Sequence, residues 1–298
     1  MKAVLLFPGQ GTQKVGMGKD LAERFPAARA VFQRADAALG TPLSRLMWDG
    51  PESDLTLTHN AQPAILVHAL AVHAVVGERL SPVAAAGHSL GEYAAYAALG
   101  ALAPDDAVRL VRRRGELMFQ AGTARPGTMA AVLGLAGEAV AEICARESRN
   151  GHVVVAANLN APDQTVISGD PEAVERAGEA LKSAGAKRVI GLKVSGAFHS
   201  PLMAPAAEGL ARELARVSIG HPAAPVIANA SAAPVRDGAA ARRLLGDQLT
   251  APVRWVESMR AAVGLAAGAT FAELGPGGVL AGLLKRISPG ASAISLGT

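Results

Sequence analysis

The feature of this 298-residue sequence that most restricts its fold is the pentapeptide Gly-His-Ser-Leu-Gly at residues 87–91. An apolar run, PVAAAGH, precedes Ser89, and a helical pattern, LGEYAAYAALG, follows it. G-x-S-x-G between a buried strand and a helix predicts a tight turn that holds the serine hydroxyl above the sheet of an α/β domain. Such a turn suits a nucleophile, because the helix N-terminus favours developing negative charge. The alternative is an ordinary helix N-cap, a common role for serine at this place.

Composition narrows the class of protein. Half of the chain is hydrophobic and 18% is charged, which suffices for a sizeable core in one or two domains. The net charge of +4 comes without a long Lys/Arg block, so a basic patch for an acidic protein or a polyanionic cofactor fits better than nucleic-acid binding. The single cysteine, Cys144, excludes an intrachain disulfide and a cysteine-based metal cluster.

Neither a targeting segment nor a membrane span is indicated. The apolar opening MKAVLLF is halted by Pro8 and Gly9, which makes it too short for a signal-peptide core. The longest apolar stretches, 64–77 and 83–103, carry histidine or glutamate side chains. We therefore expect a soluble, cytoplasmic protein that acts without a membrane.

The order of the predicted elements indicates two domains. From residue 125 to residue 192 the pattern reads strand, helix, strand, strand, helix, strand. This βαββαβ order is that of the ferredoxin-like unit. We predict a small ferredoxin-like domain at 125–192, inserted into a larger, discontinuous α/β domain made of residues 1–124 and 193–298.

A nucleophilic serine needs a base, and His199 is the best candidate among the seven histidines. It lies in GAFHSP, directly after the last strand of the small domain, where a loop between domains can face a cleft. His68 and His73 fall in an apolar helix, which favours a structural role, and His88 is adjacent to the serine and should point away from it. No acidic residue stands out at a strand end between Ser89 and His199, but a backbone carbonyl can orient the imidazole just as well, which would make a Ser-His dyad.

Arg114 is predicted to lie on the buried side of its helix. Its neighbours three and four positions away are apolar: Leu110, Val111, Leu117 and Met118. A buried guanidinium without a partner costs several kcal/mol, so it should meet a carboxylate from the protein or from a substrate. Its planar fork suits bidentate carboxylate binding. If Arg114 shares a cleft with Ser89, the substrate is an acyl group with a free acid at its far end.

Together these segments resemble one family along essentially the whole chain, the malonyl-CoA:acyl carrier protein transacylases of fatty acid synthesis. The segments that carry the resemblance, in chain order, are FPGQGTQ, NAQPAIL, GHSLGEY, RLVRRRG, GTMAAVLGL, NLNAPDQTVISG, GAFHSP, QLTAPVRW and ELGPGGVL. The resemblance implies a hydrolase-like α/β large domain with a ferredoxin-like insert, which agrees with the predicted order of elements.

The resemblance also implies roles for individual residues. Ser89 would carry the acyl group, His199 would be its base, and Arg114 would hold the malonyl carboxylate. Gln10 and Leu90 would give backbone N–H groups to an oxyanion hole.

The resemblance implies roles for two further residues. The main-chain carbonyl of Gln248 would orient the histidine, which accounts for the missing acid. Phe198 resembles the form found in malonyl-selective members, where a bulky side chain beside the base would crowd an α-methyl branch. Its alternative role is packing between the domains.

The implied reaction is a ping-pong transfer of malonyl from malonyl-CoA to the phosphopantetheine thiol of acyl carrier protein. No metal or redox cofactor is implied, the basic balance suits an acidic carrier protein, and a monomer is expected. Two alternatives stay open: a serine thioesterase or esterase with water as the acceptor, and a non-catalytic module that docks carrier protein. A hydrolase has no need of a carboxylate-seeking arginine, and a docking module has no reason to keep the whole set of site residues.

Overall fold

A computed structural model describes residues 1–297 of the protein. The strands it contains are β1 Lys2–Phe7, β2 Ser81–Gly87, β3 Thr128–Leu133, β4 Val154–Ala161, β5 Gln164–Gly169, β6 Arg188–Gly191, β7 Val226–Ile227, β8 Pro234–Val235, β9 Thr270–Leu274 and β10 Ala293–Leu296.

Thirteen α-helices accompany these strands in the same residues. They are α1 Lys19–Arg24, α2 Pro26–Leu39, α3 Leu43–Asp49, α4 Glu52–Thr56, α5 Thr58–Val76, α6 Gly91–Ala98, α7 Pro104–Ala124, α8 Gly137–Glu147, α9 Pro171–Ser183, α10 Ala204–Leu214, α11 Gly238–Asp247, α12 Trp255–Leu265 and α13 Val279–Ile287.

The larger of the two sheets has the strand order β10-β9-β1-β2-β7-β8 and is parallel except for its edge strand β8. Both faces of this sheet are buried. Along β1, Leu5 and Phe7 pack into a core shared with α5 and α7, whereas Val4 and Leu6 pack against Trp255 and other residues of α12 and α13. Burial on both faces explains why β1 reads as a continuous apolar run rather than an alternating one.

The parallel arrangement brings the residues that follow three strands to one edge of the sheet. Gln10 follows β1, Ser89 follows β2, and Asn229 follows β7. Ligands of open α/β sheets bind outside the carboxyl ends of the strands, so this edge is the expected place for a site.

The smaller sheet is antiparallel, with the strand order β4-β5-β3-β6. Helices α8 and α9 cover one of its faces through a separate hydrophobic cluster that includes Val132, Val140 and Leu181. From the opposite face, Met129 and Val166 join the main core. The observed βαββαβ order and strand order are those of a ferredoxin-like unit, and all of its elements lie inside the range 125–192. The domain boundaries themselves stay a prediction.

Helix α5 is the core helix of the protein. With the turn that follows it, residues 58–79 are long and apolar enough to cross a membrane, but 67% of the most apolar window is buried inside the structure. Its apolar surface is covered by α2 and α7, which is the behaviour of a helix at the centre of a globular fold.

Candidate active site

Ser89 occupies a strained turn between β2 and α6. Its φ angle is +53°, in the left-handed region that residues other than glycine seldom adopt. The flanking glycines are required by close approach: a Cβ on Gly91 would lie 2.2 Å from the Phe7 carbonyl oxygen, and one on Gly87 would lie 1.9 Å from the Gly91 carbonyl carbon. Helix α6 has no side-chain N-cap, so the simple capping interpretation of Ser89 is wrong.

His199 lies where it can take the Ser89 proton. The serine hydroxyl donates to Nε2 across 2.8 Å, and Nδ1–H donates to the main-chain carbonyl oxygen of Gln248 across 2.9 Å. The second bond selects the tautomer whose free lone pair faces the serine. Burial, with the nearby positive charge of Arg114, lowers the pKa of His199 to about 3. The imidazole is therefore neutral at physiological pH and available as a base.

Arg114 is buried, as the helical spacing predicts, and reaches the same serine. Its Nη2 donates to Ser89 Oγ at 2.9 Å and to Gln248 Oε1 at 3.0 Å, and its Nη1 donates to Gln62 Oε1 at 2.5 Å. All three acceptors are neutral groups. Within residues 1–297 its Nε is buried without a hydrogen-bond partner. The arginine thus has the unfilled capacity for a carboxylate that the sequence argument requires.

Two residues at the cleft are the expected sources of oxyanion-hole N–H groups. Gln10 and Leu90 both line the cleft that contains Ser89. In the described residues neither N–H donates a hydrogen bond within the protein. The Gln10 side chain is held by a bond from its Nε2 to Thr58 Oγ1 at 3.2 Å. Unpaired N–H groups beside a nucleophile are what an oxyanion would need.

A buried polar network beneath the serine was not anticipated from the sequence. Asn229 Oδ1 accepts the Ser89 N–H at 2.7 Å, and its Nδ2 donates to the Gly87 carbonyl at 2.7 Å. The Gln248 side chain donates to the Ser89 carbonyl at 3.0 Å and to Glu92 at 2.8 Å. These bonds hold the strained turn from below. The available signals were the glutamate three residues after Ser89 and an asparagine two residues after the apolar pair Val226 and Ile227.

The cleft around Ser89 has a volume of about 370 Å³. Apolar side chains line much of it: Met118 of α7, Met129 and Val166 of the smaller sheet, and Phe198 of the loop before His199. Phe198 is 5% exposed and immediately precedes His199. Lys193 lies at the same cleft. Among residues 1–297, no three His, Cys, Asp or Glu side chains lie close enough together to hold a metal ion.

A strained serine, a neutral histidine and unpaired N–H donors in one cleft form an arrangement suited to acyl transfer through serine. Residues 4–295 match the acyl transferase domain family, and the chain belongs to that family.

Its relatives define the family more narrowly. The chain is 47% identical over 288 residues to a malonyl CoA-acyl carrier protein transacylase of Bacillus subtilis (strain 168), covering 96% of this chain and 90% of the relative. The chain thus belongs to the malonyl CoA-acyl carrier protein transacylases, which confirms the resemblance found in its motifs.

Solved structures agree with this assignment. An acyl carrier protein S-malonyltransferase from Vibrio cholerae superimposes with a TM-score of 0.95 at 41% identity, covering 100% of this chain and 97% of the other. A malonyl-transacylase in complex with a type II polyketide acyl-carrier protein superimposes with a TM-score of 0.95 at 40% identity, covering 100% and 96%. The predicted α/β class with a separate antiparallel sheet is confirmed.

Proposed function

We propose that the protein transfers malonyl from malonyl-CoA to the phosphopantetheine thiol of acyl carrier protein through a malonyl ester of Ser89. The observation that carries the proposal is that Ser89 Oγ lies 2.8 Å from His199 Nε2 and 2.9 Å from Arg114 Nη2. The base and the carboxylate-binding cation thus both contact the nucleophilic oxygen. The names of the relatives support the same substrates.

In the first half-reaction His199 takes the proton of Ser89 as Oγ attacks the thioester carbonyl carbon. The N–H groups of Gln10 and Leu90 stabilise the oxyanion, and one such donor is typically worth about 10²–10³ in rate. When the C–S bond breaks, the protonated imidazole gives its proton to the CoA thiolate. The Gln248 carbonyl keeps the imidazole aligned throughout.

The second half-reaction is the reverse with a different thiol. The phosphopantetheine thiol gives its proton to His199 and attacks the Ser89 ester, and the collapse of the intermediate returns the proton to Ser89. Arg114 holds the malonyl carboxylate in both halves and so positions the carbonyl. Phe198 lines the same cleft and, as the resemblance implies, would crowd an α-methyl branch.

The partner that we propose is an acidic acyl carrier protein. The formal charge of +4 and Lys193 at the cleft support electrostatic attraction of CoA phosphates and of an acidic surface. We further propose a monomer in the cytoplasm that serves fatty acid synthesis and needs no metal or redox cofactor, since serine and histidine supply the nucleophile and the base.

The two alternatives are less well supported. A thioesterase would use the same serine and histidine, but it would leave Arg114 without a role, and the relatives are named transacylases. A docking module would not need the hydrogen bond from Ser89 to His199 or the strained turn that carries Ser89.

The test is the intact mass of the protein after brief incubation with malonyl-CoA or acetyl-CoA, for wild type and Ser89→Ala. We expect a malonyl adduct on wild type alone and its loss when acyl carrier protein with its phosphopantetheine arm is added. Release of CoA without an adduct would favour the hydrolase. Absence of both adduct and CoA release would favour the docking module.

A further inference from the structure

Glu92 is a buried carboxyl group that the mechanism above does not use. It lies in the first turn of α6 with no exposed surface. Its Oε2 accepts hydrogen bonds from the Asn229 N–H at 3.0 Å and from Gln248 Nε2 at 2.8 Å, and within residues 1–297 its Oε1 has no partner. A glutamine could accept the same two bonds through its amide oxygen, so hydrogen bonding alone does not require an acid at this position.

Glu92 is also the acidic group that faces Arg114. The Gln248 side-chain amide separates them: its Nε2 donates to Glu92, and its Oε1 accepts from Arg114. Opposite charges interact strongly across such a gap when water is excluded. The charge on Glu92 therefore alters how strongly the guanidinium attracts a further carboxylate.

We propose that Glu92 is a positioning residue that tunes the affinity of Arg114 for the malonyl carboxylate through its own protonation. This inference rests on the proposed function. The neutral carboxyl leaves the guanidinium charge available to the substrate, whereas the carboxylate competes for it. Two carboxylates beside one buried guanidinium leave an uncompensated negative charge, which is costly. Where Glu92 is ionised before binding, malonyl binding is therefore accompanied by uptake of a proton from solvent onto Glu92.

The other titratable groups around Glu92 keep their charge state near neutral pH. Tyr93 and Tyr96 lie on α6 itself, and burial raises the pKa of both phenols, so they stay neutral. Burial lowers the pKa of Arg114 on α7, but a guanidinium keeps its charge at neutral pH. The pKa of His199, on the far side of Gln248, is about 3. Burial raises the pKa of Glu92 to about 7, so its charge changes across the neutral range.

The experiment measures the second-order rate constants of Ser89 acylation by malonyl-CoA and by acetyl-CoA between pH 6 and pH 9. The ratio of the two rate constants cancels every step that the thioesters share and isolates the free carboxylate. For wild type we expect the ratio to fall by about tenfold between pH 7 and pH 8.5, because apparent affinity follows the fraction of competent protein. For Glu92→Gln we expect a ratio that does not change with pH.

The matched control is Glu273→Gln. Glu273 is likewise a buried glutamate that accepts two backbone N–H bonds, from Leu280 and Ala281, and it lies outside the residues that line the cleft. This variant should keep the wild-type fall of the ratio. A wild-type ratio that is constant with pH, or a Glu92→Gln protein that keeps the fall, would overturn the inference.

A second measurement uses wild-type protein alone, so it does not depend on whether a variant folds. Infrared difference spectra of wild type, recorded at pH 8 on acylation with isotope-labelled malonyl-CoA, should gain an unlabelled protonated-carboxyl band that acetyl-CoA does not produce. A malonyl adduct without that band would contradict the inference and leave the proposed function intact. Absence of a malonyl adduct at every pH would contradict both.

Discussion

Arg114 Nη2 and Ser89 Oγ are hydrogen-bonded at 2.9 Å, so the buried cation and the nucleophile share one contact. A malonyl group esterified to Ser89 would carry its free carboxylate one methylene away from the ester carbonyl. That carboxylate would reach the guanidinium that now contacts the hydroxyl. The cation that would select an acyl group with a free acid is thus in direct contact with the nucleophile.

Replacing Arg114 by alanine should reduce kcat/KM for malonyl-CoA by about 10²–10³, since a buried charge-assisted bidentate contact is lost. The rate with acetyl-CoA should stay within a few-fold of wild type or rise. Arg114→Lys should recover only part of the malonyl rate, because an ammonium lacks the planar fork. Steady-state kinetics with both thioesters measures the effect, and equal losses with malonyl and acetyl would contradict a carboxylate-binding role.

The control for this prediction lies on the same helix. Arg113 is the neighbouring arginine, but its side chain is 41% exposed and pairs with Glu116 and Glu213. Exposed ion pairs contribute about 0–1 kcal/mol, so Arg113→Ala should leave the malonyl-to-acetyl ratio unchanged. A shift of that ratio in Arg113→Ala would point to a general effect of charge on the helix.

Gln248 contributes to the site in two separable ways. Its main-chain carbonyl orients His199, and its side chain contacts Arg114, Glu92 and the Ser89 carbonyl. Gln248→Ala keeps the carbonyl but leaves buried polar groups unpaired, at about 1–3 kcal/mol each. We expect kcat/KM for malonyl-CoA to fall by about tenfold or more and acetyl-CoA to be affected less. A loss that is the same for both thioesters would indicate that the histidine itself had moved.

The stability of the protein is expected to depend on the glycines of the turn. Gly91→Ala would place a Cβ 2.2 Å from the Phe7 carbonyl oxygen, so β1 and α6 would have to separate. We expect a loss of several kcal/mol in the free energy of unfolding, measured by urea denaturation, together with loss of acylation. In Gly282→Ala, in α13, the new Cβ meets no atom within 4 Å beyond its chain neighbours and the backbone of its own helix, so this variant should be neutral or slightly stabilising. Unchanged stability of Gly91→Ala would contradict the required close approach.

Local patterns in the sequence predicted the turn, the ferredoxin-like order and the buried arginine, because each depends on residues close together in the chain. The two-residue strand β8, the half-exposed edge strand β10 and helix α10 were not predicted. Short edge strands are formed by pairing with a neighbour, and β8 and β10 carry little hydrophobic periodicity of their own.

The network beneath Ser89 escaped prediction for a different reason. Glu92, Asn229 and Gln248 are separated by more than 150 residues along the chain between the first and the last. Their contacts depend on how β2, β7 and the end of α11 pack together. The hydrophobic periodicity of a sequence does not show how elements that are distant along the chain pack. A glutamate in the first turn of a helix also has an ordinary explanation, interaction with the helix dipole, which concealed its burial.

The pH dependence of acylation should reflect the depressed pKa of His199, about 3, which is caused by burial and by Arg114. A histidine with an ordinary pKa of about 6.5 would lose about tenfold in activity as base between pH 7.5 and pH 5.5. We expect kcat/KM for acetyl-CoA, which carries no free acid, to change by much less than this. An acid limb of activity near pH 6.5 would contradict a base that is held neutral.

The stability of the protein should depend on pH more strongly than its activity does. Between its unfolded pKa of about 6.5 and its folded pKa, His199 binds a proton only in the unfolded chain, so the free energy of unfolding falls as the pH falls. Urea denaturation at pH 7 and pH 5 should show a smaller fall for His199→Gln than for wild type.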